Sequence, residues 1–267
     1  MQIYRFKFQS REKIPYAILS HRWFQEEVSL QDLQAIPHHF PSQKTKSYNK
    51  LKESCRIARE DGFEYIWNDT CCIDKTNSAE VSEQINSMFS YYAGSSVCYV
   101  YLDDVETTEN EPMGVHGRDF RDGQWFKRGW TLQELLAPTC IIFFDKNWRR
   151  IGTKASLSSV INEVTRIPID VLLGHTDLAA TSIARRMSWA ADRMTTKDED
   201  IAYCLMGIFA VHMPVLYGEG KIRAFLRLQE EIIKYNNDPT IFVWESESQD
   251  NTYERGSDHG SLKVGQD

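Results

Sequence analysis

Four short apolar runs, separated by segments of helical period, constrain this chain more than any other feature. Residues 16–20 (YAILS), 65–68 (YIWN), 96–102 (SVCYVYL) and 141–144 (IIFF) have the length and content of buried strands. Between the first two, Leu51, Cys55 and Ala58 recur at helical spacing over residues 49–60, and Asp61 and Gly62 end the segment. Between the second and third, Val81, Ile85, Met88, Phe89 and Tyr92 form one apolar stripe that stops at Gly94. A glycine-containing surface loop over residues 106–124 then precedes a helix carrying Trp130 and Glu134. This alternation through residue 145 predicts an α/β fold with a mainly parallel sheet of about four or five strands and flanking helices. Ligands of such sheets bind outside the carboxyl ends of the strands. Ser20, His21, Arg22 and Trp23, the stretch from Asp69 to Asp74, and Asp103 with Asp104 all fall there.

The second half reads as mostly helical, over residues 156–164, 183–191, 198–209 and 219–235. Thr196 with Glu199 has the spacing of a capping box, Met213-Pro214 breaks the chain, and residues 217–220 form a turn. Residues 240–244 read as a short strand, and 245–267 as a polar, flexible tail. The expected organisation is an α/β core over 1–145, a helical portion of the same domain over 146–244, and the tail.

At 267 residues the chain can bury a substantial core. A net charge of −7, with no basic block of five residues, argues against nucleic acid or an anionic membrane surface as the main partner. Six cysteines without a CxxC, mostly inside apolar runs, read as reduced core residues. The first residues lack the apolar segment of a signal peptide and no stretch reaches the length of a membrane span, so a cytoplasmic location is expected.

The segment WFKRGWTLQELLAP, residues 125–138, concentrates the chemistry. On a helix Trp130 and Glu134 lie four apart on one side, Lys127 shares that stripe, and Leu132, Leu135 and Leu136 supply the buried side. A carboxylate beside an indole with Arg128 nearby suits a polar ligand; a plain salt bridge from Glu134 to Arg128 or Lys127 is the competing account. Asp69 and Asp74 either hold a ligand's hydroxyl groups or cap turns, and His21 belongs to a pocket mouth or to the surface. A cysteine hydrolase using Cys71 or Cys72 with His21 as base is weaker, because thiols in apolar strands are usually inert. His38 and His39 lack the spacing of a metal site, and no metal is expected. The sequence GEGK at 218–221 fails as a phosphate loop because Ile222 stands where Ser or Thr is required, and no GxGxxG follows the first strand.

Four motifs together resemble one family: YAILSHRW (16–23), YIWNDTCCID (65–74), RGWTLQELLAP (128–138), and EDIAYCLMGIF followed by MPVLYGEG (199–220). They look like the HET (heterokaryon incompatibility) domain of filamentous fungi, in the right order over residues 14–244. Such domains trigger cell death when unlike fungal cells fuse. Look-alikes stand at the amino terminus of proteins that continue into NACHT and WD-repeat modules, and this chain is expected to be that domain alone. The family is remotely similar to TIR domains, whose first strand ends in Ser-aromatic-Arg, as at Ser20, His21 and Arg22. Arg128, Trp130, Glu134 and Leu135 reproduce the order of the plant TIR run R-x-W-C-x-x-E-L, with Thr131 in place of the cysteine. The resemblance implies an NAD glycohydrolase with Glu134 as catalytic residue and NAD as substrate rather than cofactor. It also implies a TIR-like (flavodoxin-like) sheet, and around Glu134 a substrate site of Ser20, His21, Arg22, Trp23, Asp69, Asp74, Arg128 and Trp130 is expected from their placement. Trp23 and Trp130 would shape the nicotinamide side, and Arg22 and Arg128 would engage phosphate or the catalytic carboxylate. Homo-oligomerisation on activation and NACHT/WD-type partner modules are expected with it. A non-enzymatic death adaptor that self-associates through residues 72–82 and the Val81–Tyr92 stripe is the alternative.

Overall fold

The computed structural model describes residues 2–3, 14–35, 44–107 and 118–242. Its strands are β1 (Gln2–Ile3), β2 (Ala17–His21), β3 (Tyr65–Trp67), β4 (Val97–Tyr101), β5 (Ile141–Phe144) and β6 (Arg150–Thr153). They form one sheet in the order β1-β3-β2-β4-β5-β6. The first five are parallel and β6 returns antiparallel to β5. The α/β class and the mainly parallel sheet follow the sequence reading. β1 and β6 were not expected: the first is too short to show a period, and the second has only Ile151 buried.

In the first half the helices are α1 (Leu30–Ala35), α2 (Thr45–Glu60), α3 (Asp69–Cys72), α4 (Ser78–Gly94), α5 (Arg118–Arg121) and α6 (Thr131–Leu136). In the second they are α7 (Ser158–Thr165), α8 (Ile169–Leu172), α9 (Ile183–Ser188), α10 (Asp200–Tyr203) and α11 (Lys221–Tyr235).

Strand parity decides which helix meets which side chain. Ala17, Leu19, Ile66, Val97, Tyr99 and Tyr101 face α2, packing against Ile57 and Ala58. Ile18, Trp67, Cys98, Val100 and Phe143 face the other way, toward Ile85, Met88 and Tyr92 of α4 and Leu132 and Leu135 of α6. That second layer runs on without interruption into Ala202, Leu228 and Ile232 of the helical portion. Burying an apolar side chain of this size stabilises by roughly 1.5–3 kcal/mol. The α4 stripe therefore belongs to the core: Ile85, Met88 and Tyr92 are buried, and Val81 and Phe89 pack against them.

Two glycines bring the helical portion close. A Cβ on Gly207 would lie 2.2 Å from Phe89 Cβ on α4, and one on Gly129 would lie 2.6 Å from Thr195 Cγ2. Beside Gly129 the chain is stitched by main-chain bonds, with Met194 N donating to Lys127 O at 2.7 Å and Gly129 N to Met194 O at 2.8 Å.

Several expectations are corrected. The helix expected through residues 125–138 is a 3₁₀ turn, Gln124–Lys127, followed after a break by the short α6, so exposed Lys127 does not share a stripe with Glu134. Part of the predicted loop over 106–124 is the helical turn α5; residues 108–117 lie outside the described residues. The helix expected over 198–209 is α10 and then a 3₁₀ turn, Met206–Ile208. No capping box opens it, because Glu199 Oε1 instead accepts from Gly218 N (2.8 Å) and Gly220 N (3.0 Å). The predicted strand at 240–244 begins inside a 3₁₀ turn, Pro239–Phe242, which Asp238 opens by accepting from Thr240 N at 2.9 Å. Residues 243–244, the tail at 245–267 and the stretch with His38 and His39 fall outside the described residues.

Candidate functional site

Ser20 is the polar residue that strand parity turns toward α6 at the carboxyl end of β2. Its hydroxyl donates to Glu134 Oε2 at 2.5 Å, and its oxygen accepts from Trp125 Nε1 at 2.9 Å. The indole occupies a lone pair of the hydroxyl and so leaves the proton directed at the carboxylate. Thr131 Oγ1 anchors the amino end of α6 by donating to Trp125 O and Arg128 O. Buried Arg193 adds bonds to Arg128 O and Thr131 Oγ1, both at 3.0 Å.

Glu134 is 7% exposed. It lines a cleft of about 730 Å³ together with Trp23, Asp69, Lys75, Arg128, Trp130, Lys197, Asp200 and Tyr217. Among the described residues no ion pair involves Glu134, so the salt bridge weighed against a functional role is not formed. Its pKa is pushed up to about 7, first by burial and then by the like charge of Asp69; Ser20, Arg128 and Tyr92 oppose the rise.

Asp69 is free to face the cleft because its neighbour does the capping: Asn68 Oδ1 accepts from Thr70 N at 3.1 Å and opens α3. Asp69 Oδ2 accepts from Trp23 Nε1 at 2.7 Å, while Oδ1 is buried without a partner. Desolvation raises the Asp69 pKa, against the pull of Lys75 and Arg128. The exposed Trp23 ring has two cations near it, with Lys75 Nζ 3.7 Å and Arg128 Cζ 5.2 Å from its centroid. Neither cation has a carboxylate within ion-pair distance among the described residues.

The opposite wall comes from the helical portion. Asp200 accepts from Trp130 Nε1 and from Tyr217 hydroxyl, both at 2.9 Å, and Lys197 Nζ sits 3.4 Å from the Tyr217 ring centroid. Trp130 is thus clasped to the far wall and edges the cleft from there.

The structure brings Ser20, Trp23, Asp69, Arg128, Trp130 and Glu134 together, and three other predicted residues lie elsewhere. Arg22 pairs through two nitrogens with Asp103, at 2.7 and 3.2 Å, and does not line the cleft. Asp74 caps a turn, accepting from Thr76 N (3.0 Å), Thr76 Oγ1 (2.6 Å) and Gln31 Nε2 (2.7 Å). His21 has the parity of the α2 face and is buried, with Nε2 3.9 Å from both Glu27 Oε1 and Asp69 Oδ1. Burial, then Lys50, Arg128 and Lys75, hold its pKa well below the usual value, which keeps it neutral. Cys71 is buried and its thiol pKa lies well above normal, first through the Cys72 thiol and then burial, which works against a nucleophilic role.

Lys75, Lys197, Asp200 and Tyr217 escaped the sequence reading. Lys75 directly follows the 65–74 motif, and Asp200 and Tyr217 stand inside the 199–220 motif, but no spacing rule joins residues so far apart in the chain. Among the described residues no cluster of three or more His, Cys, Asp or Glu could hold a metal, and no helix is long and apolar enough to cross a membrane.

Residues 16–118 match the family model described as Heterokaryon incompatibility protein (HET). The chain is 47% identical over 227 residues to Vegetative incompatibility protein HET-E-1 of Podospora anserina, covering 82% of this chain and 16% of that protein. The chain thus spans a minor part of the length of that relative. No solved structure matches it.

Proposed function

The chain carries a heterokaryon incompatibility (HET) domain, and we propose that it serves fungal vegetative incompatibility as a cytoplasmic death effector that hydrolyses the nicotinamide–ribose bond of NAD. One observation carries this reading: Glu134 lies buried, unpaired by any cation, at the wall of a ligand-sized cleft beyond the carboxyl ends of the strands. Its volume of about 730 Å³ falls within the roughly 300–1,000 Å³ of small-molecule sites. The TIR-like order of Arg128, Trp130 and Glu134 supports the same chemistry.

In this reading the bond between ribose C1′ and the pyridinium nitrogen breaks, and its electron pair leaves with neutral nicotinamide. No acid is needed for that departure. The Glu134 carboxylate stabilises the oxocarbenium-like centre that develops and takes the proton of the water that adds to C1′. A pKa of about 7 suits that base at neutral pH. Trp23 offers a face for the nicotinamide ring, Asp69 accepts from ribose hydroxyl groups, and Arg128 with Lys75 meets the diphosphate. Arg22 and Asp74 are left out of this assignment. Assembly, with NACHT- and WD-type modules in cis or in trans, would raise activity in the incompatible cell.

The test is release of nicotinamide from NAD by purified protein at high concentration, comparing wild type with Glu134→Ala. Turnover lost in the folded variant supports catalysis. If concentrated wild-type protein produces no nicotinamide, the non-enzymatic adaptor takes its place.

A further inference from the structure

α11 has two apolar faces. Ala224, Leu228 and Ile232 are buried in the core. On another face Ile222, Leu226 and Ile233 stand 75%, 52% and 44% exposed, with half-buried Gln229 between them. The spacings of four, three and four residues are those of the seam between two coiled helices. Single exposed apolar residues are ordinary, but three aligned on one helix form a strip of the kind that interaction surfaces present.

The flanking charges select the occupant. Arg223 follows Ile222 and Glu230 follows Gln229, so both lie on the same side of the seam, seven residues apart. Both are exposed, and neither forms an ion pair among the described residues. In an antiparallel pairing of two identical helices, Ile222 meets the partner's Ile233, Leu226 meets the partner's Gln229, and Arg223 lies beside the partner's Glu230. Two-fold symmetry makes that charge contact twice. A parallel pairing offers no such match, because the other flank consists of Phe225 and Ile232, which pack into the chain's own core.

We propose that this face of α11 docks a second copy of the chain, antiparallel, with Arg223 and Glu230 in reciprocal contact. The seam is short and holds a glutamine, and a helix pair of this length buries less than the roughly 1,200 Å² typical of stable interfaces. The contact is therefore reversible and driven by concentration. It does not depend on the NAD reading.

Sedimentation equilibrium of the full chain over a wide concentration range tests the proposal. The mass should rise from that of one chain toward twice that value, and Leu226→Glu should hold it at one. Arg223→Glu and Glu230→Arg, each alone, should weaken association roughly two- to tenfold. The two together should restore it, and because both sites are exposed these variants keep the test open if Leu226→Glu misfolds. A chain that stays single at every concentration, a mass beyond twice, a dimer indifferent to the charge variants, or a double variant that fails to recover would each overturn it.

Discussion

Ser20 donates to Glu134 Oε2 at 2.5 Å while Trp125 donates to Ser20 at 2.9 Å, a chain that crosses from β2 to α6. A hydrogen bond to a carboxylate stabilises its charged form by roughly 1.5–3 kcal/mol, and each pKa unit corresponds to about 1.4 kcal/mol. Ser20→Ala should therefore shift the Glu134 pKa upward by about one unit or more. The rising limb of nicotinamide release, expected near pH 7 in the wild type, should move to higher pH by that amount. A limb that stays in place would show that Ser20 does not tune this carboxylate. Trp125→Phe should produce a smaller shift in the same direction, because it frees the hydroxyl without removing it.

Glu134→Gln should abolish turnover and at the same time stabilise the protein at alkaline pH. The native Glu134 pKa is raised from its ordinary 4.5 to about 7, so over that interval the folded state holds the proton more tightly than the unfolded chain. Stability contributed by this group falls as pH rises from 4.5 to about 7 and then stays low, by an amount on the order of 3 kcal/mol. The glutamine variant escapes that loss. Thermal melts should show a gain over wild type that is larger at pH 8 than at pH 5; an equal gain at both would remove the electrostatic account.

Removing either cation beside Trp23 should weaken substrate binding more than chemistry. Arg128→Gln and Lys75→Gln are each expected to raise KM for NAD about tenfold, corresponding to about 1.4 kcal/mol, with kcat changed far less. Arg22→Gln is the control: its guanidinium is committed to Asp103, away from the cleft, and KM should be unmoved. A larger KM effect at Arg22 than at Arg128 would reverse this assignment of the phosphate contacts.

Gly207→Ala tests the packing of the helical portion on α4. The added methyl would meet Phe89 Cβ at 2.2 Å, and overpacking of that kind costs about 1–3 kcal/mol. The urea midpoint should fall accordingly, and Phe89→Gly in the same chain, which removes the Cβ itself, should recover part of the loss of the glycine variant. Additive losses would show that the two positions do not press on each other.

The sheet was legible in the sequence because β2 and β4 are buried on both sides and read as continuous apolar runs. β6 was not, since Arg150 and Thr153 are exposed and only the pairing with β5 makes it a strand. At the cleft, Glu134 and Trp23 announced themselves through their motifs, and Asp69 through its place at a strand end. Arg22 and Asp74 shared that placement and turned out to be taken by Asp103 and by Thr76 with Gln31. A strand-end position says where a residue is, and partners brought in from distant segments decide whether it is free. Asp200 and Tyr217 show the converse, since they reach the cleft only through the docking of the helical portion.

The stitch between residues 127–129 and Met194 uses backbone groups alone. The distance between the two walls of the cleft is thereby set by peptide geometry and is indifferent to which side chains stand at 127 and 194. Substitutions at those two exposed positions should leave the gauge of the opening unchanged. Position 129 has no such latitude, because any side chain there would wedge the walls apart.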